Sequence, residues 1–256
     1  MNLKKIIVKF DKFKIFVRRK FPYFYKLIYY FWWKYTYKNI WLLLFKPKGV
    51  LIYVGLNKGY TFENLCYKYE LSVGYEANPD LFLELKEKFK NRKNIRIFNF
   101  AATDKNSEES FYISNNIDMV SSSLSKFSIE LRKKIGFKKE LKVQTINLGE
   151  HLESMNINFI DEYISDAQGY DYKILTSLKN FILENKIKKI TCEVLRNEKD
   201  NPYYEIENYE YLFDNFLPIQ YEKIGFGSIN SKTGKFEDIP DYYDFIDITW
   251  INNIIV

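Results

Sequence analysis

Four polar features of this sequence are spaced so that they could act on one ligand. The first is the turn Gly55-Leu56-Asn57-Lys58-Gly59, set between the apolar run Val50–Val54 and a helical stretch. A strand that enters a glycine-bearing turn and then a helix aims backbone N–H groups outward and lets a ligand approach the main chain. The second is Glu76, about 21 residues on and at the end of the next apolar run, a spacing that in nucleotide-binding α/β folds sets an acid against ribose hydroxyls. The third is Asp166-Ala167-Gln168-Gly169, just past a further apolar run, and the fourth is Glu193 in the run after that. All four fall toward the carboxyl ends of expected strands, the edge at which doubly wound sheets bind ligands. The turn is not G-x-G-x-x-G, and Asn57 lacks the freedom of a second glycine, so a nicotinamide dinucleotide is disfavoured. A G-x-N-x-G turn followed by a ribose acid fits S-adenosylmethionine better.

The elements that must hold these residues follow from the pattern of apolar residues. Strands are expected at Val50–Val54, Leu71–Tyr75, Ile95–Phe100, Leu141–Ile146, Ile160–Ser165 and Lys189–Val194, with a short extra one at Phe111–Ile113. Helices are expected over 61–70, 81–90 (after the Asn78-Pro79-Asp80 turn), 171–184 and about 205–216. Residues 114–140, Ser/Asn-rich and then Lys-rich, read as a long loop with a helix. Strands at about 218–224 and 244–251 close the chain. This alternation predicts an α/β, Rossmann-like doubly wound sheet, mostly parallel, with an antiparallel closing strand.

The composition divides the chain. The formal net charge is +6, aromatic residues make up 19%, and both are unevenly spread. Residues 1–46 carry about +11 and roughly a third of the aromatics, which leaves about −5 for the rest. Residues 1–46 are therefore expected to be a basic aromatic helical appendage, and 47–256 the catalytic domain. Within the appendage, Leu3, Ile6, Ile7, Phe10, Phe13 and Val17 recur at helical spacing, Pro22 breaks the pattern, and Lys34, Lys38 and Asn39 interrupt the apolar run that follows. Those runs are too short for a membrane span, and no signal peptide is evident. Tyr and Trp mixed with Lys is the composition of a membrane interface, and packing on the body or on a second subunit is the competing expectation. Cys66 and Cys192 make no disulfide framework or zinc cluster and read as buried small hydrophobes in a reducing compartment. An acidic body disfavours nucleic acid as a partner.

Four segments carry a resemblance to the FkbM-type methyltransferases, class I enzymes dependent on S-adenosylmethionine. VGLNKGY at 54–60 resembles the family's cofactor turn, YEANPDLFLELKEKF at 75–89 its acid-x-Asn-Pro segment and following helix, and FAATDKNSEESFYI at 100–113 its adenine-side stretch. YISDAQGYDYKILTSL at 163–178 resembles its most specific signature, and VQTINLGEHL at 143–152 and CEV at 192–194 fall where the family has counterparts. The resemblance covers roughly 50–251. It implies that Gly55, Leu56, Asn57, Gly59 and Tyr60 form the cofactor turn, that Glu76 and Asn78 serve the ribose side, and that Ala101, Ala102 and Asp104 lie near the adenine. Ser121, Ser122 and Ser123 match a serine pair often found in a loop beside the site. Asp166, Gln168, Glu193 and Ser122 would face methyl transfer. One departure stands out: Tyr53 occupies a position where the family usually has Asp, an acid that commonly helps hold the methionine amino group.

Transfer of a methyl group to a hydroxyl is helped by a base that takes the hydroxyl proton. Asp166 is the expected base. Glu193 is expected either to orient the acceptor or to share a divalent metal with Asp166. His151, the only histidine, reads as structural or surface. The resemblance implies an O-methyltransferase acting on a sugar hydroxyl of a glycan or glycan precursor, and the cysteine usage and the appendage place it in the cytoplasm, peripheral on the inner face of a membrane if the appendage binds lipid. A homo-oligomer stays open. The alternatives are a non-sugar small molecule as acceptor, or a membrane-associated binding module on a degenerate fold of the same kind.

Overall fold

Strand β1 (Val50–Val54) lies inside a sheet of eight strands among the described residues and has parallel neighbours on both sides. A computed structural model of the chain describes residues 46–114, 122–126, 136–195, 207–229, 236–237 and 245–255. All but Lys46 and Pro47 belong to one compact unit, Lys48–Val256. The appendage expected over 1–46, apart from Lys46, lies outside the described residues, as do Ser121 and most of the expected 114–140 loop.

Leaving β1 toward one edge, the order is β2 (Leu71–Tyr75) and then β3 (Ile95–Phe98), both parallel. Toward the other edge come β7 (Glu162–Ser165) and β8 (Lys189–Leu195), also parallel. β11 (Phe245–Asn252) then runs antiparallel between β8 and β9 (Tyr221–Ile229), with β10 (Phe236–Glu237) outermost. The sheet is therefore mostly parallel with the expected antiparallel closing strand. Strand β1 is an uninterrupted apolar run and every position of β7 is buried, as in a parallel sheet covered on both faces. Leu51, Ile52, Tyr163 and Ile164 are all buried.

A second sheet was not foreseen. β4 (Ala101–Thr103), β5 (Ser107–Ser114) and β6 (Phe137–Asn147) form three strands in the order β4-β6-β5. The expected strand at 95–100 stops at Phe98. Asn99 then turns its side chain back, its Nδ2 donating to the Glu76 and Ala77 carbonyls at 2.8 and 3.2 Å, and β4 joins β6 instead.

Among the described residues the helices are α1 (Tyr60–Leu65), α2 (Pro79–Phe89), α3 (Leu148–Ser154), α4 (Asp171–Ser177), α5 (Lys179–Leu183) and α6 (Glu210–Phe216). Helix α2 starts where its sequence says it should, with Asn78 capping through its side chain and Pro79 in the first turn. The single helix expected over 171–184 is two. Thr176 and Ser177 donate their hydroxyls to the carbonyls of Lys173 and Ile174, which competes with the helical ladder, and the chain resets at buried Leu178. The stretch expected as a helix over 61–70 ends as α-helix at Leu65 and continues as one tight turn, Cys66–Lys68. Cys66 and Cys192 are both buried, as their small apolar character predicts. No helix among the described residues is long and apolar enough to cross a membrane.

Candidate active site

The carboxyl ends of β1, β2 and β7 converge, and three tight backbone connections fix what they present. The turn after β1 holds Gly55, Asn57 and Gly59 at positive φ (79°, 49° and 69°). Asparagine tolerates this left-handed region better than most side chains. Gly55 is required there for a second reason: a Cβ on it would stand 2.0 Å from the carbonyl oxygen of Asp166. The loops after β1 and β7 thus touch main chain to main chain, and the Asp166 N–H donates to the Val54 carbonyl at 3.2 Å.

Glu76 follows β2 directly, and it is 6% exposed. Its Oε2 accepts from the Asn57 N–H at 2.7 Å and its Oε1 from the Asn78 N–H at 2.8 Å. The carboxyl is thereby locked across the mouth of the turn, with lone pairs left for a further donor. Burial pushes its pKa up to about 7, against the opposing pull of those two N–H groups. In the free protein, then, this carboxyl ionises near neutrality rather than near its ordinary 4.5. Between those two values the folded state holds the extra proton, so this group's contribution to folding stability falls as pH rises from 4.5 to about 7. Binding of a ribose diol runs the other way, because an ionised carboxylate is the stronger acceptor. Affinity for S-adenosylhomocysteine is expected to weaken about ten-fold between pH 8 and pH 6, measured by calorimetry. A flat profile across that range would contradict an ionised Glu76 in the bound state.

Asp166 follows β7. Its Oδ1 accepts from the Gln168 Nε2 at 2.7 Å, and the same nitrogen lies 3.2 and 3.4 Å from the two carboxylate oxygens of Glu193 on β8. Gln168 itself sits at φ 52°, and its carbonyl accepts from the Ser123 hydroxyl at 2.9 Å. Asp247, opposite Glu193 on β11, adds negative charge. Burial pushes the Asp166 and Glu193 carboxyls up. For Glu193 the charges of Asp166, Asp171 and Asp247 push in the same direction, and for Asp166 the Gln168 bond pulls the other way.

Asp171 was missed by sequence reasoning. It opens α4, is fully buried, and its Oδ1 accepts from the Ser165 hydroxyl and from the Ala167 N–H (3.1 Å). It therefore grips the chain on both sides of Asp166. Burial pushes its pKa up to about 7. The only sequence signal was an acid in the first turn of a helix, which has an ordinary explanation in the helix dipole.

These loops wall a cleft of about 650 Å³, counting the solvent it opens to. Of the residues singled out from sequence, Gly55, Asn57, Glu76, Ala101, Ala102, Ser122, Asp166 and Gln168 line it, and Glu193 stands behind Gln168. Leu56 instead points into the core beneath α1 and α2. Gly59 begins α1 against Leu85. Tyr60 is 59% exposed, with the Lys88 ammonium 4.9 Å from its ring centroid. Asn78 acts at one remove, by holding Glu76 and capping α2. Asp104 faces outward and pairs with Lys173 at 3.6 Å. The unforeseen lining is apolar: Phe100, Phe111 and Leu124 come largely from the second sheet and the segment docked on it.

Tyr53 does not face the cleft. It is buried edge-on against Phe62, with ring centroids 5.9 Å apart, and hydrogen-bonds Thr61. His151 is away from the cleft lining too, boxed by Phe98, Phe100 and Tyr75, with Nδ1 2.8 Å from the Tyr75 hydroxyl.

The cleft suits S-adenosylmethionine in its chemistry: a buried carboxylate for the ribose diol, open backbone beside it, and apolar walls for the adenine. A shared metal suits it poorly. Among the described residues no group of three or more His, Cys, Asp or Glu side chains is disposed to hold an ion, and an amide nitrogen stands between Asp166 and Glu193.

Residues 54–223 match the family model described as the Methyltransferase FkbM domain. Among solved structures, the chain is similar to a methyltransferase FkbM from Methylobacillus flagellatus KT at 12% identity and a TM-score of 0.46, over 79% of this chain and 43% of that one. It thus spans less than half of that protein's length. It is also similar to Aeropyrum pernix fibrillarin, solved with natively bound S-adenosyl-L-methionine, at 11% identity and a TM-score of 0.42, over 80% of this chain and 67% of that one. No curated protein matches the chain.

Proposed function

The chain belongs to the FkbM methyltransferase family, and from that premise we propose that it methylates a hydroxyl oxygen, with a sugar of a glycan or glycan precursor as the acceptor. The family is one of class I, S-adenosylmethionine-dependent enzymes. One observation carries the proposal: a buried ribose-type acid, Glu76, and an acid with a raised pKa, Asp166, line the same cleft.

In this reading Glu76 accepts from the ribose hydroxyls while the Asn57 and Asn78 N–H groups hold it still. The backbone of Gly55 leaves room beside it. Bound S-adenosylmethionine supplies a methyl group on a positively charged sulfur, which leaves as a neutral thioether. Asp166 takes the acceptor's proton on a carboxylate oxygen as the hydroxyl oxygen bonds to carbon. A carboxyl raised toward neutrality by burial is a better base than a solvated one. Asp171 holds the Ser165 hydroxyl and the Ala167 N–H on either side of it, and Ser122, whose hydroxyl accepts from the Ser114 N–H at 3.2 Å, offers the acceptor a polar contact in the cleft lining.

The basic aromatic residues 1–46 fit an anchor on an anionic membrane surface, which would bring a lipid-linked acceptor within reach. Tyr53 favours the competing reading, a binding module on a degenerate fold, because it removes an acid from the turn. The test is transfer of label from methyl-tritiated S-adenosylmethionine to glycan, glycolipid and small-molecule fractions. Label is expected in a carbohydrate-bearing fraction at a base-stable ether. Label confined to a fraction without sugar would replace the acceptor class, and no binding of the cofactor would favour the module.

A further inference from the structure

Gln168 sits in a conformation that needs a reason. It is a non-glycine residue at φ 52°, held there by the Ser123 hydroxyl on its carbonyl. What that backbone achieves is the placement of one nitrogen. Nε2 lies 2.7 Å from Asp166 Oδ1 and 3.2 Å from the nearer oxygen of Glu193. The two carboxylates fix which end of the amide faces them, since a carbonyl oxygen there would meet only other acceptors. A divalent ion shared by two carboxylates stands about 2.0–2.6 Å from an oxygen of each. The amide nitrogen already occupies that ground, and its lone pair is delocalised, so it donates to carboxylates and does not ligate metals.

We propose that Gln168 is a positioning residue that does the work of a bridging cation: its amide pins Asp166 and Glu193 to each other, aims Asp166 at the cleft, and closes the pair to divalent metal. The proposal rests on the assignment of Asp166 as the base. Glu193 is in turn steadied from behind, its carbonyl accepting from Asn208 Nδ2 at 2.9 Å while Asn208 Oδ1 accepts from the Tyr172 N–H at 2.8 Å. Glu193 is therefore held on β8 and tied through Asn208 to the start of α4, while Asp166 follows β7, and the amide spans the two.

The test uses manganese as the probe, followed by its electron paramagnetic resonance signal on the full chain at neutral pH. Gln168→Glu puts a third carboxylate where the amide was, and Gln168→Ala removes the amide without adding charge. The wild type is expected to leave the ion free. The Glu variant is expected to bind it about ten-fold or more tightly than the wild type, and the Ala variant to fall between. Wild-type binding as tight as that of both variants would overturn the proposal, and so would variants that bind no better than the wild type. The Ala variant keeps the test decisive if the Glu variant fails to fold. Calorimetry with S-adenosylhomocysteine runs in parallel on all three. Failure of the wild type to bind it would sink the cofactor assignment and leave the manganese comparison standing, so the two failures are told apart.

Discussion

Glu76→Ala is expected to weaken binding of S-adenosylhomocysteine by about 100-fold or more. In the proposed reading the carboxylate offers two acceptors to the ribose diol, and a hydrogen bond to a charged group is worth about 1.5–3 kcal/mol. Losing both costs about 3–6 kcal/mol, or at least two decades in affinity. The substitution also frees the Asn57 N–H from Glu76 Oε2, so the turn beneath the ligand loosens. The folded state loses less, because the carboxyl is already penalised by burial at neutral pH. Glu76→Gln is the informative companion. It keeps the volume, but its NH₂ must face one of the two N–H donors at Asn57 and Asn78, so it is expected to fall between wild type and Ala. Calorimetric titration reads all three. An Ala variant that binds as well as the wild type would remove Glu76 from the cofactor site.

Asp166→Asn should separate chemistry from binding. Its side-chain oxygen can still accept from Gln168 Nε2, so the geometry around β7 and β8 is kept while the base is lost. Loss of a general base costs about 10²–10⁴ in rate. Methyl transfer from labelled S-adenosylmethionine is therefore expected to fall by that factor, with the dissociation constant of S-adenosylhomocysteine changed no more than a few-fold. Asp166→Ala is expected to lose transfer as completely, with the fold intact. Near-normal turnover in either would end the assignment of Asp166 as base.

The cleft edge of this protein was legible in its sequence because it is built from local signals. The Gly55–Gly59 turn, the acid about 21 residues on and the Asp166–Gly169 turn each sit within a few residues of a strand end, and chain direction alone sends them to one edge. What was not legible was which way neighbours point. Leu56 adjoins Gly55 in sequence and yet faces the core, because Gly74 leaves room for it there; a Cβ on Gly74 would lie 2.5 Å from Leu56 Cδ1. Tyr60 opens a helix whose outer face is solvent, so its place beside the turn gives it no part in the cleft. The second sheet escaped notice because β4 is three residues long and pairs with β6 some 40 residues later, a register that no local pattern encodes. Asp171 looked like a helix-start acid, and only the tertiary fold shows Ser165 and Ala167 closing on it.

The antiparallel insertion of β11 between β8 and β9 has a consequence for how the chain comes into being. Residues 245–252 are the last of the sheet's strands to be synthesised, yet they bond to both neighbours along their length, from Leu195 to Lys189 on one side and from Gly227 to Tyr221 on the other. Until they emerge, β8 carries an unpaired edge and β9 has only β10 beside it. An N-terminal portion growing at about 5–20 residues per second must hold that gap open for the interval. Pairings of this range in sequence are also slow to form. During that interval β8, with Ile190, Cys192 and Val194 all destined for burial, is the segment most open to pairing with the wrong strand. The same event brings Asp247 opposite Glu193, so the charge that presses on the Glu193 carboxyl arrives only when the final strand slots in.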